Sequence, residues 1–135
     1  MTDLRAVVDR FATALDNDDY DAAALCMEED AVYLESSEKT INGRNAILDS
    51  FRHTSQWGRN NLDSLRFFHS IDEATPSQIK FIDVLTSGGE ELELHHTMHL
   101  LFSPRGLIRE LRLAETPGEA EQVRTFFRRH GLQRG

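Results

Sequence analysis

Six histidines and 23 Asp plus Glu supply the groups with which this chain could move protons. Their spacing decides which of them share a face. Across Glu91 to Ser103, strand alternation puts Leu92, Leu94, His96, Met98, Leu100 and Phe102 on one side. Glu91, Glu93, His95, Thr97, His99 and Leu101 fall on the other. His96 is the one ionisable group in the apolar row, so it is either a hydrogen-bonded core residue or a ligand-facing acid, base or donor. His95 and His99 belong to a solvated or subunit-facing row. The run His95-His96-x-x-His99 imitates a metal motif, but on a strand it spans about 13 Å with neighbours pointing apart, whereas zinc needs its nitrogens about 2 Å away. No metal site is expected.

Tyr33 and Glu35 stand at i and i+2 and therefore share a face of a short strand. In an apolar cleft such a carboxyl rises toward neutrality, the condition for general base work, and a phenol beside it can donate to it or to a substrate. Asp83 shares one parity with Ile79, Phe81 and Leu85, where an unpaired carboxylate costs several kcal/mol. The opposite parity, with Lys80, Ile82 and Val84 inward, puts it in water. His69 among Leu65, Phe67 and Ile71 is a similar case, while His53 and Trp57 stand where they can line a pocket mouth. Cys26, alone in an Ala-rich stretch, reads as a small buried hydrophobe and not as a nucleophile.

The elements that must hold these groups follow from periodicity. Leu4, Val7, Val8, Phe11 and Leu15 form one helical stripe, with Thr2 as its cap. A shorter helix capped by Asp18 carries Tyr20, Ala23, Ala24 and Met27, and the acidic run Glu28-Glu29-Asp30 is expected to end it as a turn. A strand over 31–35, a hairpin partner over 38–41 and a helix capped by Asn42 come next, the helix fading by Trp57-Gly58. The pattern then alternates, predicting strands over 64–74, 78–86, 91–103 and 107–115, with turns at Thr75-Pro76-Ser77, Gly88-Gly89 and Ser103-Pro104-Arg105-Gly106. Thr116-Pro117-Gly118-Glu119 reads as a capping box with Pro at the first helical position. The helix it opens carries Val123, Phe126, Phe127 and His130. Gly131 stops it, and Leu132 folds back on Phe127.

Fifteen Lys plus Arg against 23 acids over 135 residues give a net charge of −8, with 39% apolar residues. This is the composition of one globular domain. The acidic balance works against nucleic acid and anionic membrane as partners, which require compensation of phosphate charge. No apolar run reaches the roughly 18 residues that span a bilayer, and the first residues lack the profile of a signal peptide, so a cytosolic location is expected.

The order helix, helix, short hairpin, helix and four long strands resembles the cone-shaped α+β fold of nuclear transport factor two, ketosteroid isomerase, scytalone dehydratase and the SnoaL-like polyketide cyclases. Local patterns agree: Asp16 to Ala22 resembles the acidic break between the first helices, and Glu29-Asp30-Ala31-Val32-Tyr33-Leu34-Glu35 resembles the entry into strand one. Gly43-Arg44-Asn45-Ala46-Ile47 is similar to the opening of helix three, and Phe102-Ser103-Pro104-Arg105-Gly106-Leu107-Ile108 to the last hairpin. The match covers about residues 3 to 115. The expected organisation is an α+β domain over 1–115, with a curved antiparallel sheet wrapped around the N-terminal helices and a central pocket, plus a helical extension over 116–135.

The resemblance implies a pocket, not a reaction, because the fold hosts many functions. It puts Glu35 where the isomerase-like enzymes carry their carboxylate base, Phe11 at the oxyanion-hole tyrosine, and Met98 near the oxyanion-hole acid. Neither Phe11 nor Met98 can donate a strong hydrogen bond to an enolate, which disfavours steroid isomerisation. Tyr33, Glu35, Asp83 and His96 are thus the candidate catalytic residues, with Phe11, Trp57, His69 and Met98 lining the pocket. The expected ligand is a small hydrophobic molecule and the expected chemistry is cofactor-free acid–base catalysis beside a carbonyl, with Glu35 taking the proton and His96 polarising oxygen. The competing reading is a non-catalytic ligand-binding or adaptor module. Related folds dimerise through the outer sheet face, so a homodimer is expected along the Glu91 to Leu101 row.

Overall fold

The computed structural model describes residues 3–35 and 39–132. Helix α1 spans Leu4–Asp16, with the Asp3 carboxylate accepting from the backbone N–H groups of Arg5 and Ala6. Thr2, expected as the cap, lies outside the described residues. Helix α2 is only Tyr20–Ala24 and is capped by Asp19, not Asp18. Asp18 sits at the corner with φ 56°, a left-handed conformation that a non-glycine residue holds only when its surroundings fix it.

Strand β1 covers Met27–Leu34, so the acidic run expected as a turn lies inside it. Those residues occupy an irregularity between the paired positions Met27 and Val32, where the strand departs from its ladder and leaves Glu29 and Asp30 in solvent. Strand β2 is Thr40–Asn42, while Glu38, expected to begin it, lies outside the described residues. Helix α3, Arg44–Asn61, follows Gly43 instead of an Asn42 cap and continues through Trp57-Gly58. A methyl group at Gly58 would meet Leu65 Cδ2 at 2.5 Å, so the glycine keeps a close approach of helix to sheet and does not end the helix.

Strands β3 (Ser64–Ile71), β4 (Gln78–Ser87), β5 (Glu90–Phe102) and β6 (Ile108–Glu115) form an antiparallel meander. The sheet order is β2-β1-β6-β5-β4-β3. Among the described residues its one parallel pairing is β1 on β6, which makes the sheet mixed where an antiparallel one was expected. Among the described residues no helix is long and apolar enough to cross a membrane.

Apolar residues pack into two clusters on the inner face. The larger joins Val8 and Phe11 of α1, Met27 and Tyr33 of β1, Ile47 of α3, and Ile79, Phe81, Met98, Ile108 and Leu111 of the sheet. The smaller joins Leu62, Leu85 and Leu94 to Phe126 of α4, which spans Glu119–Arg129. Helix α4 thereby covers the part of the inner face that the first three helices leave open. Its stripe and its end follow the expectation, since the Leu132 N–H bonds the Phe127 carbonyl at 2.8 Å beyond Gly131 at φ 65°.

Its start differs from the expectation. The helix begins at Glu119 with Gly118 at the cap and no side-chain capping bond, and Pro117 lies outside it. The Thr116 hydroxyl donates instead to the His95 carbonyl at 2.7 Å. Half of the capping box survives, as the Glu119 carboxylate accepts from the Thr116 N–H at 3.2 Å.

Candidate active site

Cross-strand register lays the inner face out in rows. Ile71, Ile79, Met98 and Leu113 form an apolar row, His69, Phe81, His96 and Glu115 the next, and Phe67, Asp83 and Leu94 the one beyond. Leu65, Leu85 and Leu92 complete the second apolar region. Asp83 therefore takes the inward parity, and it stands diagonal to both His69 and His96. A polar band divides two apolar halves of one face.

Two histidines and three carboxylates make up this band. His96 Nε2 faces Asp83 Oδ2 at 3.2 Å, and His96 Nδ1 faces Glu119 Oε1, also at 3.2 Å. Burial alone would lower the His96 pKa, but the hydrogen bonds and charges of Asp83 and Glu119 prevail and raise it to about 9. Its imidazole is thus a cation at neutral pH, lying against the Phe81 ring with centroids 6.3 Å apart. On the other side His69 Nδ1 meets Asp16 Oδ2 at 2.5 Å. Desolvation pushes the Asp16 carboxyl up, His69 opposes the rise, and the Asp83 charge adds to it. The second oxygen of Asp16, Oδ1, is buried with no hydrogen-bond partner among the described residues. A half-buried carboxyl with one oxygen fixed by imidazole and the other unpartnered has a lone pair left to accept a proton or a hydrogen bond.

The other expected site residues fall elsewhere. Tyr33 is buried and packs edge-on against Phe51 at 5.1 Å. Burial, with the charges of Glu35 and Glu115, raises its phenol above its ordinary value. Glu35 follows the last residue of β1, its N–H bonded to the Lys39 carbonyl. Strand β6 lies between β1 and β5, so at about 4.8 Å per strand step the line of Glu35 is roughly 10 Å from that of His96. The structure groups His96 with Asp83 and Glu119, not with Glu35.

Phe11 and Met98 are 0% and 4% exposed within the larger core. Trp57 is half-buried and packs at a tilt of 46° against Phe127 of α4 with centroids 5.0 Å apart, so it helps to seat that helix. His53 is exposed. His95 pairs with Glu93 on the outer face, and the strand turns His95 and His99 away from His96 as the alternation requires.

Sequence reasoning missed Asp16 and Glu119 as members of this site. Asp16 continues the spacing Val8, Ala12, Asp16 along the buried side of α1, a signal that was present. Glu119 carries no such signal, because its place in a capping box already accounts for it. Asp18 gathers the Ser55 hydroxyl at 2.8 Å, the Arg59 Nε at 2.7 Å and the Tyr20 hydroxyl at 3.0 Å. Burial would raise its carboxyl, yet these donors hold it below its ordinary range and fix the left-handed corner.

A cleft of about 220 Å³ beside Asp18 and another of about 470 Å³ between α1 and α2 lie away from the polar band. At the band itself the inner face is occupied by the protein's own side chains, with α4 seated over Leu85 and Leu94.

No known protein-family model matches the chain, and no curated protein matches it. Solved structures do. An LEH-like epoxide hydrolase of M. tuberculosis is similar at 18% identity and TM-score 0.64, over 91% of both chains. A Shewanella denitrificans protein described as a SnoaL-like polyketide cyclase is similar at 13% identity and TM-score 0.62, over 90% of this chain and 97% of that one. A nuclear transport factor two-like protein of unknown function from Burkholderia pseudomallei is similar at 15% identity and TM-score 0.67, over 92% and 97%. The chain has the cone-shaped α+β fold of these proteins.

Proposed function

We propose that the inner sheet face binds a small, largely apolar molecule and carries out cofactor-free acid–base chemistry beside a carbonyl, of isomerase, cyclase or dehydratase type. The observation that supports this is the pair of carboxylate–imidazole couples, Asp16–His69 and Asp83–His96, on one face between two apolar halves. Asp16 takes the proton on its unpartnered Oδ1 while His69 fixes the carboxyl. His96, cationic at neutral pH, polarises the substrate oxygen through Nδ1 once Glu119 moves off it, Asp83 keeping Nε2. Glu35, on the Tyr33 side of β6, is the alternative base. The names of two similar structures, an LEH-like epoxide hydrolase and a SnoaL-like polyketide cyclase, support reading the inner face as a small-molecule site.

Mass spectrometry of small molecules retained on purification identifies a substrate to assay. With it, Asp16→Asn should lower turnover by about 10²- to 10⁴-fold, the usual worth of a general base, while Glu35→Gln leaves most of it. The reverse pattern would move the base to Glu35.

One observation favours a second reading, a non-catalytic binding or adaptor module: both ring nitrogens of His96 already face protein carboxylates. Absence of turnover from every retained molecule would establish it.

The proposal includes a homodimer and a cytosolic location. Phe68 and Leu101 are 48% and 44% exposed on the outer sheet face, beside the row Glu91 to His99. Burying them against a second copy removes apolar surface from water. Light scattering should give a dimer at micromolar concentration, and a mass of only 15.4 kDa would defeat this.

A further inference from the structure

We propose that Glu119 occupies a ligand's place: the open form of this site binds a hydrophobic monocarboxylate, whose carboxylate replaces that of Glu119 between His96 Nδ1 and the Thr116 N–H. The inference rests on the reading of the inner face as the ligand floor and adds the class of ligand. It begins from the burial of Glu119, which is 6% exposed and has both oxygens engaged, Oε1 at His96 Nδ1 and Oε2 at the Thr116 N–H, each at 3.2 Å. A glutamate is almost never buried so fully unless it is paired, so these donors form a carboxylate cradle.

The cradle and its occupant belong to different parts of the molecule. Thr116 is tied to β5 by its hydroxyl, 2.7 Å from the His95 carbonyl, and His96 is a residue of β5. Glu119 is the first residue of α4, beyond Pro117 and Gly118. Gly118 has φ 85°, and no side chain caps the helix there. Rotation at this glycine would carry Glu119 away, breaking its N–H bond to the Thr116 carbonyl at 3.0 Å, while both donors stay with the sheet. Helix α4 is held over the sheet by side chains: Phe126 among the leucines, Phe127 against Trp57, and Arg129 and His130 on Glu90.

What α4 vacates is apolar. Phe126 is 3% exposed among Leu62, Leu85 and Leu94, with Leu65 and Leu92 at the edge. The uncovered surface therefore has two donors at one end and a basin of leucines beside them. A carboxylate with an aliphatic or aromatic body matches both. It also restores the charge that Glu119 withdraws from the Asp83–His96 pair, which a neutral ligand does not.

In the intact chain the ligand competes with Glu119, so its apparent affinity is reduced to the open fraction of its intrinsic value. Calorimetric titrations with decanoate and decanol, on the full chain and on Glu119→Ala, test this while NMR follows the His96 ring. Decanoate should bind Glu119→Ala at least about tenfold more tightly than the full chain. It should shift the His96 ring resonances and hold the ring protonated to higher pH, and decanol should do neither. Glu119→Gln, which keeps the side-chain volume, carries the same test if the alanine variant does not fold.

Equal binding of decanoate and decanol, with shifts at Phe81 and Met98 and none at His96, would overturn the carboxylate class and leave the apolar floor intact. If neither probe shifted any inner-face resonance in either variant, the carboxylate inference and the ligand floor beneath it would both fall.

Discussion

Replacing His96 with alanine is expected to destabilise the protein by about 3–5 kcal/mol at pH 7, the typical result of removing one partner from a buried ion pair. The variant leaves Asp83 and Glu119 facing one site with no cation between them, and Glu119 has almost no access to water. The sign of the pH dependence follows from the His96 pKa. In the folded protein it is raised to about 9, above the ordinary value of 6.5. The proton on His96 therefore contributes stability that is fully present below about pH 6.5 and is lost as pH rises through about 9, a contribution on the order of 3 kcal/mol. The raised Asp16 carboxyl acts in the same sense at lower pH. Urea unfolding of wild type and His96→Ala between pH 5 and 10 should show the deficit shrinking above pH 8. A deficit below about 1 kcal/mol, constant across that range, would mean that the ring is not held as a cation.

Removing residues 116–135 should lower the melting temperature by roughly 5–15 °C and expose dye-binding apolar surface. Helix α4 covers Leu62, Leu85 and Leu94 with Phe126, Phe127 and Val123, and its Phe127 packs against Trp57. Each large apolar side chain so buried contributes about 1.5–3 kcal/mol, offset in large part by the entropy of ordering the helix. A net loss of a few kcal/mol remains, worth several degrees each in a chain of this size. Scanning calorimetry with a hydrophobic dye checks it. An unchanged melting temperature with no dye binding would show α4 to be dispensable. The His130 and Arg129 pairs with Glu90 fasten the far end of the helix, and His130 lies within 3.0 Å of where a Cβ on Gly88 would stand.

Long periodic segments were legible in the sequence. The stripe of α1, the alternation of β4 and β5, and the Gly131 stop all follow from residue spacing. Boundaries set by tertiary contact were not. Gly58 reads locally as a helix end, but its missing side chain makes room for Leu65 and the helix runs on. Glu28-Glu29-Asp30 reads as a turn, yet β1 runs through it as an irregularity between Met27 and Val32, which pair in parallel with β6, a pairing no local signal encodes.

The site divides in the same way. Alternation singles out His96, and the inner parity of Asp83 was one of two that it allows. Their partners come from distant chain: Asp16 is 53 residues from His69, and Glu119 is 23 from His96. Each carboxylate already had a local explanation, as a break after a helix and as part of a cap. Glu35 drew notice because strand parity and the resemblance both pointed to it, but β6 stands between its strand and that of His96.

The central claim is that His96 is a buried cation clamped by two carboxylates on the inner face, and the NMR titration of its ring nitrogens tests it most directly. Both nitrogens should carry protons at pH 7, with a midpoint near 9 that falls in Glu119→Gln. A midpoint at or below the free value of about 6.5, unchanged by that substitution, would contradict it.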